Sequence, residues 1–173
     1  CAVKALSIRQ PWAWAILHAG KRIENRSRAD GFMPAMCSHR GPLLICASAG
    51  VGRVRDFDDA IEVMRSRVEL SRLRGGVCVR RVSVWAPDPD LDRGGIVGVC
   101  NVVAHIDPAG VVHGSAGGPV DRRWHVSGSY GLVLADVRPL PFMPYKGALG
   151  LFDVPGATPD LVVEIARREA SKP

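Results

Sequence analysis

The chain has 173 residues, 47% hydrophobic and 23% charged, which fits one soluble globular domain (1–173) with a core of its own. Lys and Arg outnumber Asp and Glu by 23 to 17, a formal charge of +6 that favours polyanions such as nucleic acids among partners. No apolar run is long enough to cross a bilayer as a helix and no signal-peptide pattern is visible, so neither membrane nor export is expected.

The basic excess is almost entirely Arg, since only Lys4, Lys21, Lys146 and Lys172 are lysines. Guanidinium groups suit bidentate phosphate and base-edge contacts and stack on rings. The cysteines, Cys1, Cys37, Cys46, Cys78 and Cys100, are odd in number and never in C-x-x-C spacing. That pattern argues against a disulfide framework or a zinc knuckle and for a reducing, cytoplasmic compartment. The dispersed histidines, His18, His39, His105, His113 and His125, form no ligand-spaced cluster, so neither a metal nor a cofactor is expected.

In chain order, Ala5 to Ile8 reads as a short strand, and Pro11 opens a helix at a position where no backbone donor is needed. Trp12, Ala13, Ile16 and Leu17 give that helix an apolar stripe, so Trp12 reads as core. Gly20 stands where a helix end favours a residue tolerant of positive φ. Residues 21–26, KRIENR, then alternate like a strand, with Ile23 on one face and Arg22, Glu24 and Arg26 on the other. Lys21 sits at the turn, where its stem reaches over the strand's end. A carboxylate between two guanidiniums reads equally as a surface ion-pair ladder or as a binding site.

Residues 27–40 read as a loop over the motif, with Arg26, Arg28, His39 and Arg40 able to converge. Pro42 to Ala47 is a continuous apolar run, hence a strand buried on both faces. Residues 48–55, SAGVGRVR, lack the Lys-Ser/Thr ending of a phosphate-binding P-loop and read as a connector. A helix from Asp56 or Asp58 to about Arg74 and a strand over Val77 to Trp85 follow. The Asp-rich stretch before Gly95 lacks the Gly and Glu of an EF-hand loop.

Ile96 to Ile106 reads as a long strand that Gly98 allows to bend, as closing a small barrel requires. Asp107 to Arg123 is Gly-rich loop, leading to Trp124, whose ring reads equally as core or as a stacking face. Tyr130 to Val137 is another strand, Arg138-Pro139-Leu140-Pro141 forces an extended, edge-like path, and Lys146 to Val154 ends the barrel. Thr158-Pro159-Asp160 starts a last helix running to about Ala170. His18 and His105 read as structural, and His39 and His125 as rim residues.

Lys21-x-x-Glu24-x-Arg26, preceded by Ser7-Ile8-Arg9-Gln10-Pro11-Trp12-Ala13, resembles the signature of the ASCH (activating signal cointegrator homology) domain. The family pattern is Gly-x-Lys-x-x-Glu-x-Arg; here Ala19 stands at the usual Gly and Gly20 follows one place later. The likeness continues in family order through Arg40 to Ile45, Gly95 to Gly98, Trp124, Tyr130 to Leu134, and Lys146 to Phe152. It implies an α+β fold: a PUA-like small mixed β-barrel with flanking helices, with the motif core within 4–154. Family members include bacterial amidohydrolases that deacetylate N4-acetylcytidine with the motif Lys, a Thr nucleophile and a Glu elsewhere. Lys21 matches that Lys, but Glu24 occupies the Thr position, and a carboxylate does not replace an activated hydroxyl without a change of mechanism. Ser7 and Ser27 are the nearest hydroxyls in sequence. Ribonuclease activity has also been proposed within the family.

The reading that results is an RNA- or nucleotide-binding cleft lined by Lys21, Glu24, Arg26, Arg28, Arg40, Trp124 and Lys146. In it Glu24 accepts from an amine or ribose hydroxyl while Lys21 and Arg26 neutralise phosphate. The alternatives are a hydrolase of a modified nucleoside or of RNA, with Lys21 and Glu24 catalytic, and a non-catalytic interaction domain.

Overall fold

The computed structural model describes residues 2–27, 33–51, 62 and 91–170. Its framework is a curled, mostly antiparallel sheet with a few short helices. Strand β1 (Val3–Gln10) sets the pattern, because Leu6 and Ile8 are buried in the barrel interior while Val3 and Ala5 are buried on its other face. A strand covered on both sides carries apolar residues at successive positions rather than alternating ones.

Helix α1 (Trp12–His18) follows, then β2 (Ile23–Arg26), α2 (Met33–Ser38), β3 (Gly41–Val51) and β4 (Gly95–Ile106). The short β5 (Val112–Gly114) and a 3-10 turn (Arg122–Trp124) lead to β6 (Tyr130–Pro144), β7 (Leu151–Val154) and α3 (Pro159–Ala170). The strands order as β2-β6-β4-β3-β1-β7, with β5 attached to β4. The β1–β3 pair is parallel, Leu6 facing Ile45, and the other pairings are antiparallel.

The two longest strands make the curl. Between β4 and β6 the register shifts near Gly98, Val99 and Val102, and each shift adds local twist to the pair. Gly98 is required there, since a Cβ on it would lie 2.4 Å from Leu17 Cδ2 of α1 and 2.9 Å from the Arg138 carbonyl. Side chains fill the curl in three clusters. The barrel interior holds Leu6, Ile8, Ile45, Cys100 and Leu132, sealed by Ile16 of α1 and Met36 of α2. The outer face of β1, β3 and β4 packs Val3, Leu44 and Val99 against Val162 of α3. Ala15, Ile23, Ala104, Val133 and Trp124 form the third cluster.

This architecture matches the α+β barrel expected from the sequence, with local differences. Pro11 precedes α1 as its N-cap instead of occupying its first turn. The loop expected over 27–40 contains α2, and the one expected over 107–123 contains β5. Strand β3 runs past Ala47 to Val51. Leu161 N donates to Thr158 Oγ1 at 3.3 Å, the cap expected for the last helix. The helix expected over 56–74 (but for helical Glu62), the strand over 77–85 and Arg28 lie outside the described residues. Among the described residues no helix is long and apolar enough to cross a membrane.

Candidate functional site

The motif's geometry begins at the end of α1. Ala19 caps the helix, Gly20 takes φ 68°, and the Lys21 amide closes back onto the Ala15 carbonyl at 3.0 Å. The left-handed turn, which a glycine adopts without strain, reverses the chain and sends the Lys21 side chain inward. Lys21 is 2% exposed, among the most buried large side chains of the molecule.

Its ammonium donates to the Ile23 carbonyl and to Glu24 Oε2 at 2.7 Å, and stands 5.8 Å from the centre of the Trp12 ring. Glu24, 6% exposed, uses its other oxygen to receive Arg26 Nη2 at 3.2 Å. Arg26 Nη2 also donates to the Ser7 carbonyl of β1 at 2.7 Å, joining β2 to β1 across the open side of the curled sheet. A continuous polar line therefore runs from the core outward, Lys21 to Glu24 to Arg26 to Ser7. Its outer member keeps contact with water, the Arg26 side chain being 19% exposed.

Burial lowers the Lys21 pKa by penalising the charged form; the Glu24 carboxylate opposes that, and Arg26 adds to it. With Lys21 charged the cluster carries two cations and one anion, and its part-exposed member is the Arg26 guanidinium. Among the described residues, the buried Arg26 Nε has no hydrogen-bond partner and the buried Ser7 Oγ has only a thiol beside it. The Ser7 hydroxyl lies beside the Cys46 thiol, whose pKa burial pushes up and the hydroxyl draws back. A thiol is a weak hydrogen-bonding group, so it leaves the hydroxyl's capacity largely unused.

Over Ser7 lies the loop that leads into β7. A Cβ on Gly147 would stand 2.4 Å from Ser7 Oγ and 3.4 Å from Cys46 Sγ, so only glycine lets the backbone settle there. The neighbouring Lys146 is exposed, one residue from that contact.

The structure thus brings Lys21, Glu24 and Arg26 together, and Lys146 is exposed next in sequence to Gly147, which lies against Ser7. It does not bring the other predicted residues to this point. Arg22 donates to the Ile16 carbonyl at 3.0 Å, so Glu24 pairs with Lys21 in place of Arg22. The strand begins only at Ile23, and the alternation that put Arg22 beside Glu24 does not reach back to it. Arg40 is held on the carbonyls of Cys37, His39 and His113 and on His105 Nδ1. Trp124 is 3% exposed in the third core cluster, which leaves no open ring face for stacking. His39 and His125 bond the carbonyls of Pro42 and Ser129.

Asn25 is a residue the sequence reading missed. Its side chain donates to the Trp124 carbonyl at 2.7 Å and accepts from the Val126 amide at 3.0 Å, pinning that turn to β2. Its position between Glu24 and Arg26, on the opposite face of the strand, was the available signal.

A family model described as the ASCH domain matches residues 6–111, spanning the motif, most of β1, and all of β3 and β4. The chain belongs to the ASCH domain family. The ASCH domain is of the PUA-like superfamily, in agreement with the curled half-barrel. A comparison with curated proteins finds no match. Within this ASCH chain, among the described residues, no three His, Cys, Asp or Glu side chains are grouped to hold a metal ion.

Proposed function

We propose that this ASCH domain binds an unpaired nucleotide of RNA, or a modified nucleoside, at the barrel mouth. The supporting observation is Arg26, whose part-exposed guanidinium is fixed by Glu24 and by the Ser7 carbonyl. Such a fixed guanidinium suits a phosphate oxygen or a base carbonyl, with the exposed Lys146 adding positive charge. Lys21 and Glu24 act from behind by fixing the guanidinium. The unpaired cysteines Cys37, Cys46 and Cys100 fit a reducing, cytoplasmic setting.

Hydrolysis of a modified nucleoside is the second reading, and the lowered Lys21 pKa favours it, since a general base must be deprotonated to act. The 2% exposure of Lys21 and the Glu24 at the nucleophile position weigh against it. The deciding experiment follows a labelled RNA oligonucleotide by anisotropy and N4-acetylcytidine by product formation, with wild type, Arg26→Ala and Lys21→Ala. Binding without turnover, abolished in Arg26→Ala with the fold intact, supports the binding reading. Turnover that Lys21→Ala abolishes would make the protein a hydrolase. Neither binding nor turnover leaves an interaction domain.

A further inference from the structure

We infer that the free edge of β5 is a second contact surface, taking the phosphate backbone of single-stranded nucleic acid. The inference extends the proposed mouth site and rests on that reading for the identity of the polymer. Among the described residues β5 has β4 as its only partner strand, so one side of it is unpaired. A guanidinium flanks each of its faces.

On one face His113 stacks against its cross-strand partner His105, ring centres 4.8 Å apart at 14°. Arg40 is exposed there but immobile. Its Nη1 donates to the Cys37 and His39 carbonyls at 2.7 Å each, and its Nη2 to the His113 carbonyl at 3.0 Å. The same Nη2 lies 3.1 Å from His105 Nδ1, which must accept and so leaves the His105 proton on Nε2 as a further donor. Among the described residues no carboxylate pairs with Arg40, so its charge is fixed and uncompensated. A guanidinium already ordered loses little further entropy on meeting an anion.

On the other face, where Val112 turns toward the third core cluster, a hollow of about 390 Å³ opens. It is lined by Val112, Gly114, Ser115, Gly117, Gly118 and Arg122. A Cβ on Gly117 or Gly118 would meet nothing within 4 Å, so the backbone there is open to approach. Arg122 is exposed and makes no side-chain hydrogen bond or ion pair to any described residue. The carboxylates that flank the edge are already engaged, Asp107 by His113 at 2.9 Å and Asp121 by Arg123 at 2.7 Å. Positive charges that no described carboxylate pairs with, on both sides of an open strand, fit successive phosphates of one strand. The link to the mouth is physical, since Asn25, between Glu24 and Arg26, holds the Trp124 carbonyl of the turn that carries Arg122.

The test is a salt titration of the binding of a labelled single-stranded RNA 12-mer to wild type, Arg122→Gln, Arg122→Lys and Arg26→Ala. Removing one phosphate neutralisation lowers the slope of log K against log salt by about 0.7 for a single strand. Arg122→Gln is expected to flatten the slope by about that amount, and Arg122→Lys to restore it. Because the Arg122 side chain bonds to no described residue, its replacement leaves the fold in place. Wild-type slope and affinity in Arg122→Gln, with binding abolished in Arg26→Ala, would overturn the edge and leave the mouth. A flattened slope in Arg122→Gln with Arg26→Ala unchanged would keep the edge and overturn the mouth. No binding of the 12-mer by wild type would overturn both.

Discussion

Lys21 and Glu24 form a 2.7 Å ion pair with almost no access to water, and such a pair is a weak source of stability. The attraction between the charges is offset by what both lose in leaving water, so its removal as a unit and its disruption have different consequences. Lys21→Met leaves Glu24 buried with only Arg26 opposite and is expected to cost about 3 kcal/mol in urea unfolding. Lys21→Met combined with Glu24→Leu is expected to regain most of that loss. The double variant also separates structure from function: a stable double variant without RNA affinity places the pair in service of Arg26. One that binds normally makes the pair a core feature alone. The sequence showed the members of this cluster but not their depth. Lys21 was expected to reach over the strand's end, because spacing assigns a face to a residue and leaves the direction of a turn open. That direction came from Gly20 at φ 68°, which folds the long side chain back into the barrel.

At the level of elements, what the sequence made legible was the pattern that composition alone creates. The apolar run Pro42–Ala47 marks β3 as buried on both faces, and Gly98 marks the bend in β4; both follow from residues in one stretch. Short elements were not legible. Helix α2, six residues long with Met36 as its buried anchor, and β5, three residues long, exist because of what they pack or pair against. The same reason explains Trp124. Basic, Gly-rich neighbours leave its ring reading equally as core or as a stacking face, whereas Asn25 and β2 hold its turn down and bury it. The bend at Gly98 gives the element-scale prediction. In Gly98→Ala the new methyl meets the movable tip of Leu17 at 2.4 Å and the Arg138 backbone carbonyl at 2.9 Å. Overpacking of this kind costs about 1–3 kcal/mol, and adding Leu17→Ala should relieve only the side-chain part. Unfolding curves for the two variants check this; Gly98→Ala at wild-type stability would mean that the β4–β6 register can slide to make room.

At the scale of the whole molecule, titration reaches well beyond the mouth. His18 and His39 have pKa values lowered by burial, His39 also by the charges of Lys4 and Arg40. His105 is lowered first by burial, then by Arg40 and His113, with Asp107 opposing. A histidine whose folded pKa lies below its unfolded value binds fewer protons folded than unfolded across that interval. Stability therefore rises with pH there and falls as the solution is acidified below about 6.5. Asp107 has the usual carboxylate sense, its pKa lowered chiefly by the His113 hydrogen bond, and its contribution disappears only in stronger acid, below the ordinary 3.8. The urea midpoint is expected to drop as the pH falls below about 6.5. His105→Gln should make that drop shallower, because an amide at 105 takes up no proton and can still accept from Arg40. An unchanged drop in His105→Gln would assign the acid sensitivity to His18 and His39. A midpoint that rises on acidification would show that these imidazoles gain more from neighbouring carboxylates than they lose by burial.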